Sequence, residues 1–350
     1  MSAEKPRGPA VVVLGDINID ILARIERLPE PGEDCLAPEL ELHCGGVGGN
    51  TAVALARWGL PVRLLGCIGR DAFGDLALGF LRGEQIDLSW VQRTDRAMTG
   101  VMFIAVSADG QRTIFGSRGA NTEAPPVGDA DCLEGAQAVH LVGYNFLSGP
   151  VAEVAEHVLK EARRRHRQVS LDVGMAPSRQ IPQKILQVAG KVDILFVGLS
   201  EAAALTGKSD KSGAFEALRA CGVREAALKL GERGCLFQED DALREAPSFS
   251  VEATDTTGAG DAFAAAFLWA RLRGWSKAEG ALLANAAGAA AACVVGAGEA
   301  MPAPQQVLRV LRAARLDAEW DPVRARLLER LGAEWDSSDM GASPGGGNDS

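Results

Sequence analysis

Short apolar runs alternate with helix-forming stretches along most of the chain. The first run is VVVLGD, Val11 to Asp16: three valines and a leucine, then a Gly-Asp turn signal. A continuous apolar run bounded by turn residues reads as a strand buried on both faces. VRLLGCIG, AVHLVGY, QVSLDVG, VDILFVG and AALKLG repeat the pattern, and stretches such as NTAVALARWG, VAEVAEHVLKEARRR and EAAALTG separate most of them. This alternation predicts an α/β fold: a doubly wound, mostly parallel sheet with helices on both faces. From Gly258 to about Gly296 the chain is Ala-rich and helical in pattern, with little β signal.

Two segments leave the alternation and return to it. One lies between the first strand and the first helix, at about residues 17–44; the other, TGVMFIAVSADGQRTIFGS, falls at about 98–118. The second reads as a hairpin turning at Ala108-Asp109-Gly110. Together they predict a small β-sheet projecting from the main one as a lid. The tail from Gly332 onward is polar, acidic and rich in Gly and Ser. It is expected to be disordered, as are residues 1–9, because neither buries enough apolar area to offset its ordering entropy. One domain is therefore expected over 10–330.

Composition narrows the function. Lys and Arg number 36 against 46 Asp and Glu, a formal charge of −10 over 350 residues. An acidic chain is a poor partner for phosphate backbones, so no nucleic acid is expected. No apolar run reaches the ~20 residues that span a bilayer, and no signal-peptide pattern opens the chain, so no membrane is expected either. Seven scattered cysteines without a CxxC pair read as reduced thiols in a cytoplasmic protein.

The chemistry concentrates in DTTGAGDAFAAAFLWA, Asp255 to Ala270. Asp-Thr-Thr is a turn and helix-cap signal, and Gly258, Ala259 and Gly260 lead into a helix. Small residues there let a phosphate reach the unpartnered N–H groups at the positive end of the helix dipole. Asp261 follows at once. A carboxylate beside an anion site repels phosphate unless it has a task, such as taking the proton of an attacking hydroxyl. An ordinary Asp, with pKa ~3.9, is ionised for that task at neutral pH. The plainer reading is a capped helix with an acid favouring the dipole.

Two more clusters are ambiguous alone. In HCGGVGGNTAVALARWG, Gly45, Gly46, Gly48 and Gly49 precede a helix holding Asn50 and Thr51; Thr51 stands where a dinucleotide fingerprint needs its third glycine. The glycines and the Asn amide suit sugar hydroxyls, or form only a turn with an Asn cap. In GDINID, Asp16, Asn18 and Asp20 alternate with isoleucines and would share one strand face. That face is a ligand site at the end of the first strand, or a solvated edge. AAALTGKS, Ala202 to Ser209, imitates a phosphate loop, but it lies mid-helix, with Gly207 as a helix end.

Taken together the three clusters resemble the ribokinase-like sugar kinases, the PfkB carbohydrate kinase family, over Val11 to Pro302. GGVGGN resembles its N-terminal signature and DTTGAGDAFAAAFL its C-terminal one. The resemblance implies a ribokinase-like fold and MgATP-dependent phosphorylation of a primary hydroxyl of a small sugar. It assigns Asp261 as base and the N–H groups of Gly258, Ala259 and Gly260 as anion hole. Asn18, Asp20, Gly45, Gly46 and Asn50 would hold the sugar. Glu201 would organise magnesium through water. Lys229, Gly231, Gly234 and Asn285 would meet the nucleotide. Asp255 and Thr257 would flank a monovalent cation such as K+, and the lid would join two copies into a homodimer. Two positions depart from the pattern. Gly198 stands where the magnesium motif has Asn, so water or Ser200 would complete the network, and Val47 stands where ribokinases carry Lys. Arg118 could meet a charged substrate, but reads more plainly as a solvated lid residue. A nucleoside kinase of the same family is the alternative; it needs an aromatic platform, for which the lid offers chiefly Phe103 and Phe115. A catalytically silent binding regulator is the other, favoured only by Gly198.

Overall fold

The computed structural model describes residues 10–108, 112–127, 131–240 and 242–336. The chain opens with β1 (Ala10–Leu14), β2 (Asn18–Arg24), β3 (Leu40–Gly45), α1 (Val47–Arg57), β4 (Val62–Gly69), α2 (Ala72–Gly83) and β5 (Asp87–Thr94). Next come β6 (Gly100–Val106), β7 (Arg112–Ser117), β8 (Ala136–Val142), α3 (Pro150–Arg164), β9 (Gln168–Asp172), α4 (Met175–Gln180), α5 (Pro182–Ala189) and β10 (Ile194–Gly198). The remainder comprises α6 (Leu199–Thr206), α7 (Lys211–Ala220), β11 (Ala226–Lys229), β12 (Cys235–Glu239), β13 (Ala242–Ala246), α8 (Ala259–Leu272), α9 (Lys277–Ala292), α10 (Pro304–Ala313) and α11 (Asp321–Asp336).

Nine strands form one sheet in the order β13-β12-β11-β10-β9-β8-β1-β4-β5. All neighbours from β11 to β5 are parallel; β12 alone runs against them, paired antiparallel with β11 on one side and β13 on the other. Successive residues of β1 point to opposite faces: Val11 and Val13 join a core under α8 and α9, Val12 and Leu14 a core under α3. Both faces are covered, so the strand has no polar position. In α8 and α9 alanine predominates, which lets two buried helices pack closely; Phe267 and Trp269 of α8 are fully buried. Burying each such aromatic side chain is worth roughly 2–3 kcal/mol.

The order reverses direction between β8 and β1. Crevices at such switch points, beyond the carboxyl ends of the strands, are where open α/β sheets bind ligands. A separate four-stranded sheet, β3-β2-β6-β7, stands over that edge. Its strands cover both segments that leave the strand–helix alternation. Residues 109–110 of the expected hairpin turn lie outside the described residues, but Val106 pairs with Arg112 across it.

Two boundaries differ from expectation. The glycine cluster is already helical: α1 begins at Val47, with Gly46 as its N-cap at φ +91°, where a Cβ would lie 2.3 Å from the Asp16 carbonyl oxygen. At the other end, residues 332–336 are not disordered but continue α11. Val323, Leu327 and Leu331 are buried at four-residue spacing, and Trp335 continues the row. Its ring lies 5.9 Å from Trp58 and 5.6 Å from Trp269. The indole supplies the apolar contact that the tail's composition hides. Residues 1–9 and 337–350 lie outside the described residues. Gly207 ends α6 at φ +72°, so the phosphate-loop imitation is a helix terminus.

Candidate active site

Helix α8 starts at the crevice. Its N-cap is Gly258, left-handed at φ +76°, and not the Asp-Thr-Thr turn before it. Ala259, Gly260 and Asp261 form the first turn, so their N–H groups head the helix with no side-chain cap. Asp261 is 9% exposed and accepts a 2.7 Å hydrogen bond from Asn50 Nδ2 of α1. The two residues are 211 apart in sequence, so the contact joins the two signatures.

Burial pushes the Asp261 carboxyl up to about 7; the nearby Asp172 adds to this, while Asn50 and Lys229 oppose it. This corrects the expectation of an ordinary, fully ionised carboxylate. A carboxyl poised near neutrality suits a general base better, because it accepts a proton strongly while still partly ionised.

The small sheet supplies the other wall. Asn18 and Asp20 share a face, each buried to 6% exposure. Asp16 does not join them: it precedes β2 and takes a bidentate pair from Arg118, at 2.9 and 2.7 Å. Arg118 is therefore not solvated but fixed, because the guanidinium fork matches the carboxylate. Burial raises Asp20 to about 7, with His43 opposing and Glu299 and Asp255 adding. Gly45 leaves the Asp20 carboxylate uncovered, since a Cβ there would sit 2.3 Å from Asp20 Oδ2. Asn50 Oδ1 is buried with no partner among the described residues. A ligand hydroxyl would satisfy it, and an orphan acceptor is otherwise costly.

On the far side of α8 opens a cleft of about 760 Å³. Lys229, Gly231, Gly234, Gly260, Phe263 and Asn285 line it. Asn285 spends its Nδ2 on the carbonyls of Ala246 and Pro247, at 3.2 and 3.0 Å. Lys229 bonds both oxygens of Asp172, at 2.9 and 3.1 Å. Burial works against its charge, but Asp172 and Glu201 outweigh burial and raise its pKa. The arrangement thus places a wall of buried polar side chains, a buried carboxyl, the N–H groups heading α8 and a cleft bearing Lys229 in sequence.

A model of the pfkB family carbohydrate kinases matches residues 9–304. The chain belongs to this family. A ribokinase of Arabidopsis thaliana is 33% identical over 322 residues, covering 89% of this chain and 83% of the relative. A ribokinase of Staphylococcus aureus is 30% identical over 267 residues, covering 74% and 84%. The solved structure of Arabidopsis ribokinase with ribose and ATP matches with a TM-score of 0.74 at 31% identity, covering 87% of this chain and 99% of that one. The protein is a sugar kinase with the ribokinase fold.

Several residues of this carbohydrate kinase escape a reading by motif. Asp172, at the end of β9, holds Lys229 and lifts Asp261, yet nothing around LDVG marks it. Asn121 bridges the Ile17 N–H, the Ile17 carbonyl and Asn18 Oδ1 at 2.8, 3.1 and 2.8 Å, fixing the start of β2. Asn121 lies in SRGAN, just past the second lid segment, where no local pattern gives it a role. Glu201 caps its own helix, accepting from the Gly198 N–H at 2.7 Å. Burial raises its pKa and Lys229 lowers it. Ser200 is exposed, and the nearby Asp172 adds to the rise at Glu201. Magnesium fits two carboxylates plus phosphate oxygens, and Asp172 with Glu201 offers that donor type. At Asp255 and Thr257, the residues expected to flank a monovalent cation, hydrogen bonds are unevenly spread. The Asp255 carboxylate already accepts from the Thr257 N–H and hydroxyl, the Gly296 N–H and the Arg112 guanidinium. Three of these donors meet Oδ1 and only the Gly296 N–H meets Oδ2, so Oδ2 keeps acceptor capacity.

Proposed function

We propose that this kinase transfers the γ-phosphoryl group of ATP to a primary hydroxyl of a small sugar of the ribose or fructose type. The observation that carries the reading is Asp261: one helical turn holds it beside the Gly258–Gly260 amides, and Asn50 ties it to the wall of Asn18 and Asp20. Asn18, Asp20 and Asn50, with the open backbone at Gly45 and Gly46, would bind and orient the sugar. Asp261 would accept the proton of the attacking hydroxyl at a carboxylate oxygen. The N–H groups of Gly258, Ala259 and Gly260 would stabilise charge on the transferred group. The nucleotide would lie in the cleft along Lys229, Gly231, Gly234 and Asn285. Asp172 and Glu201 would hold magnesium through its waters, and when bound that ion neutralises phosphate charge. The small sheet would exclude water, which competes as an acceptor.

Relatives support a sugar over a nucleoside, and so does strand parity. Phe103 and Phe115 stack at 5.4 Å, but Phe103 pairs with Ile21, on the face opposite Asn18 and Asp20. They cannot serve as a base platform. Together with Leu40 and Leu42 they leave the outer face of the lid apolar and exposed, which supports pairing with a second copy. Seven free cysteines support a reducing, cytoplasmic setting. The test is a panel of sugars and nucleosides scored for phosphorylated product and ADP. Turnover on nucleosides alone, or sugar binding without any ATP turnover, would sink the reading.

A further inference from the structure

One side chain of the small sheet crosses to the phosphate side of the site, and no motif marks it. Arg112 begins β7, paired with Val106, and so lies on the same face as Asn18 and Asp20. Its guanidinium reaches a loop more than 140 residues away. Nη1 donates to Asp255 Oδ1 at 3.0 Å and to Thr257 Oγ1 at 2.6 Å, and Nη2 donates to Thr256 Oγ1 at 2.5 Å. Three consecutive residues are held by one planar fork. The Arg112 side chain is 30% exposed and Asp255 only 6%, so the pair is partly shielded from solvent.

That loop is the segment entering Gly258. Its left-handed N-cap sets where the first N–H groups of α8 point. The loop's other ties are internal to the body: the Thr254 and Asp255 N–H groups donate to the Ala292 carbonyl, and Gly296 N–H to Asp255. Thr256 also lines the nucleotide cleft. The small sheet has a second anchor, Cys44 with Gly298 and Glu299, but this does not touch the entry to α8. Arg112 is thus the side chain that links the sugar wall directly to the loop shaping the anion hole.

We propose that Arg112 is a positioning residue through which sugar on the small sheet sets the phosphate-binding turn, making sugar and nucleotide bind cooperatively. This rests on the proposed function of the site. A sugar that fixes the sheet would hold the fork on the loop and pre-order the N–H groups. By linkage the nucleotide must favour the sugar by the same factor.

Calorimetric titration tests it, using the non-hydrolysable ATP analogue AMP-PNP with magnesium, and D-ribose and D-fructose as sugar probes. In the wild type, saturating sugar should tighten AMP-PNP binding about tenfold, within the usual range of coupling. In Arg112→Ala that factor should fall below about twofold, with each ligand alone binding within about threefold of wild type. Arg112→Lys keeps the charge but loses the fork, and should fall between. A merely structural ion pair would lower Tm and leave the factor unchanged, which overturns the proposal. Equal weakening of AMP-PNP with and without sugar would place the guanidinium on the nucleotide itself, and also overturns it. So does a wild type with no cooperativity. If neither probe sugar binds nor is phosphorylated by the wild type, the function proposed for the site fails as well.

Discussion

Replacing Asp261 by Asn separates its chemical task from its structural cost. The substitution keeps shape and leaves an amide oxygen to accept from Asn50, but the side chain can neither ionise nor take a proton. In the folded protein the carboxyl is raised from 3.8 to about 7. Between those values the folded state binds a proton that the unfolded state has released, so stability falls as pH rises from about 4 to about 7. Each tenfold step is worth about 1.4 kcal/mol, so the ionised group costs on the order of 4 kcal/mol at pH 8. Asp261→Asn should therefore be more stable than wild type at pH 8, by roughly 2–4 kcal/mol, and equal to it near pH 4. Activity should move the other way. Loss of a general base lowers kcat by about 10²–10⁴. Wild-type kcat/KM should rise with pH through about 7 and level off. Thermal unfolding between pH 4 and 8, with ADP release on the best sugar of the panel, checks both. A variant within tenfold of wild-type kcat, or one that gains no stability at pH 8, would refute the reasoning.

Four further outcomes follow from the same geometry. Gly260→Val puts a branched side chain beside Lys229, whose Nζ is 3.3 Å from the Cβ position; it should raise KM for ATP at least about tenfold while sugar affinity, measured by calorimetry, stays within about twofold. Asp20 is raised to about 7 by burial, so sugar should bind more tightly as pH rises through that value; Asp20→Asn should bind weakly with a flatter pH dependence, because Asp261 still titrates near 7. Asp255 Oδ2 accepts only from the Gly296 N–H and keeps a lone pair for a monovalent cation, so exchanging K+ for tetramethylammonium at constant ionic strength should lower kcat by more than about twofold. Trp335→Ala removes a half-buried indole from Trp58 and Trp269, and should cost about 1–2 kcal/mol, read as a Tm lowered by a few degrees, with kcat unchanged.

Local patterns carried the fold far. Val11 to Leu14 leave no polar position, which a strand covered on both faces requires, and the Ala-rich stretch after Gly258 could only be buried helix. The helix opening at Gly258–Asp261 was legible for the same reason: backbone conformation, small side chains and dipole position are properties of a few neighbouring residues. The tail misled because composition was averaged over residues 332–350, which hid the four-residue spacing of Leu327, Leu331 and Trp335. Asp16 misled because alternation was extended back past the residue where β2 begins.

By itself the amino-acid order determined the layered sheet, the lid segments, and the peptide that brings N–H groups and a carboxylate to one turn. Only the tertiary structure decided that this carboxylate is half-ionised near neutrality, that Arg118 is locked on Asp16, that Asp172 holds Lys229, and that Arg112 grips the loop ahead of α8. The physical reason is range. Helix starts and strand faces are set by bonds to adjacent residues. Burial and electrostatic fields sum over groups such as Asn50, Asp172 and Asp261, which meet only after the chain has folded.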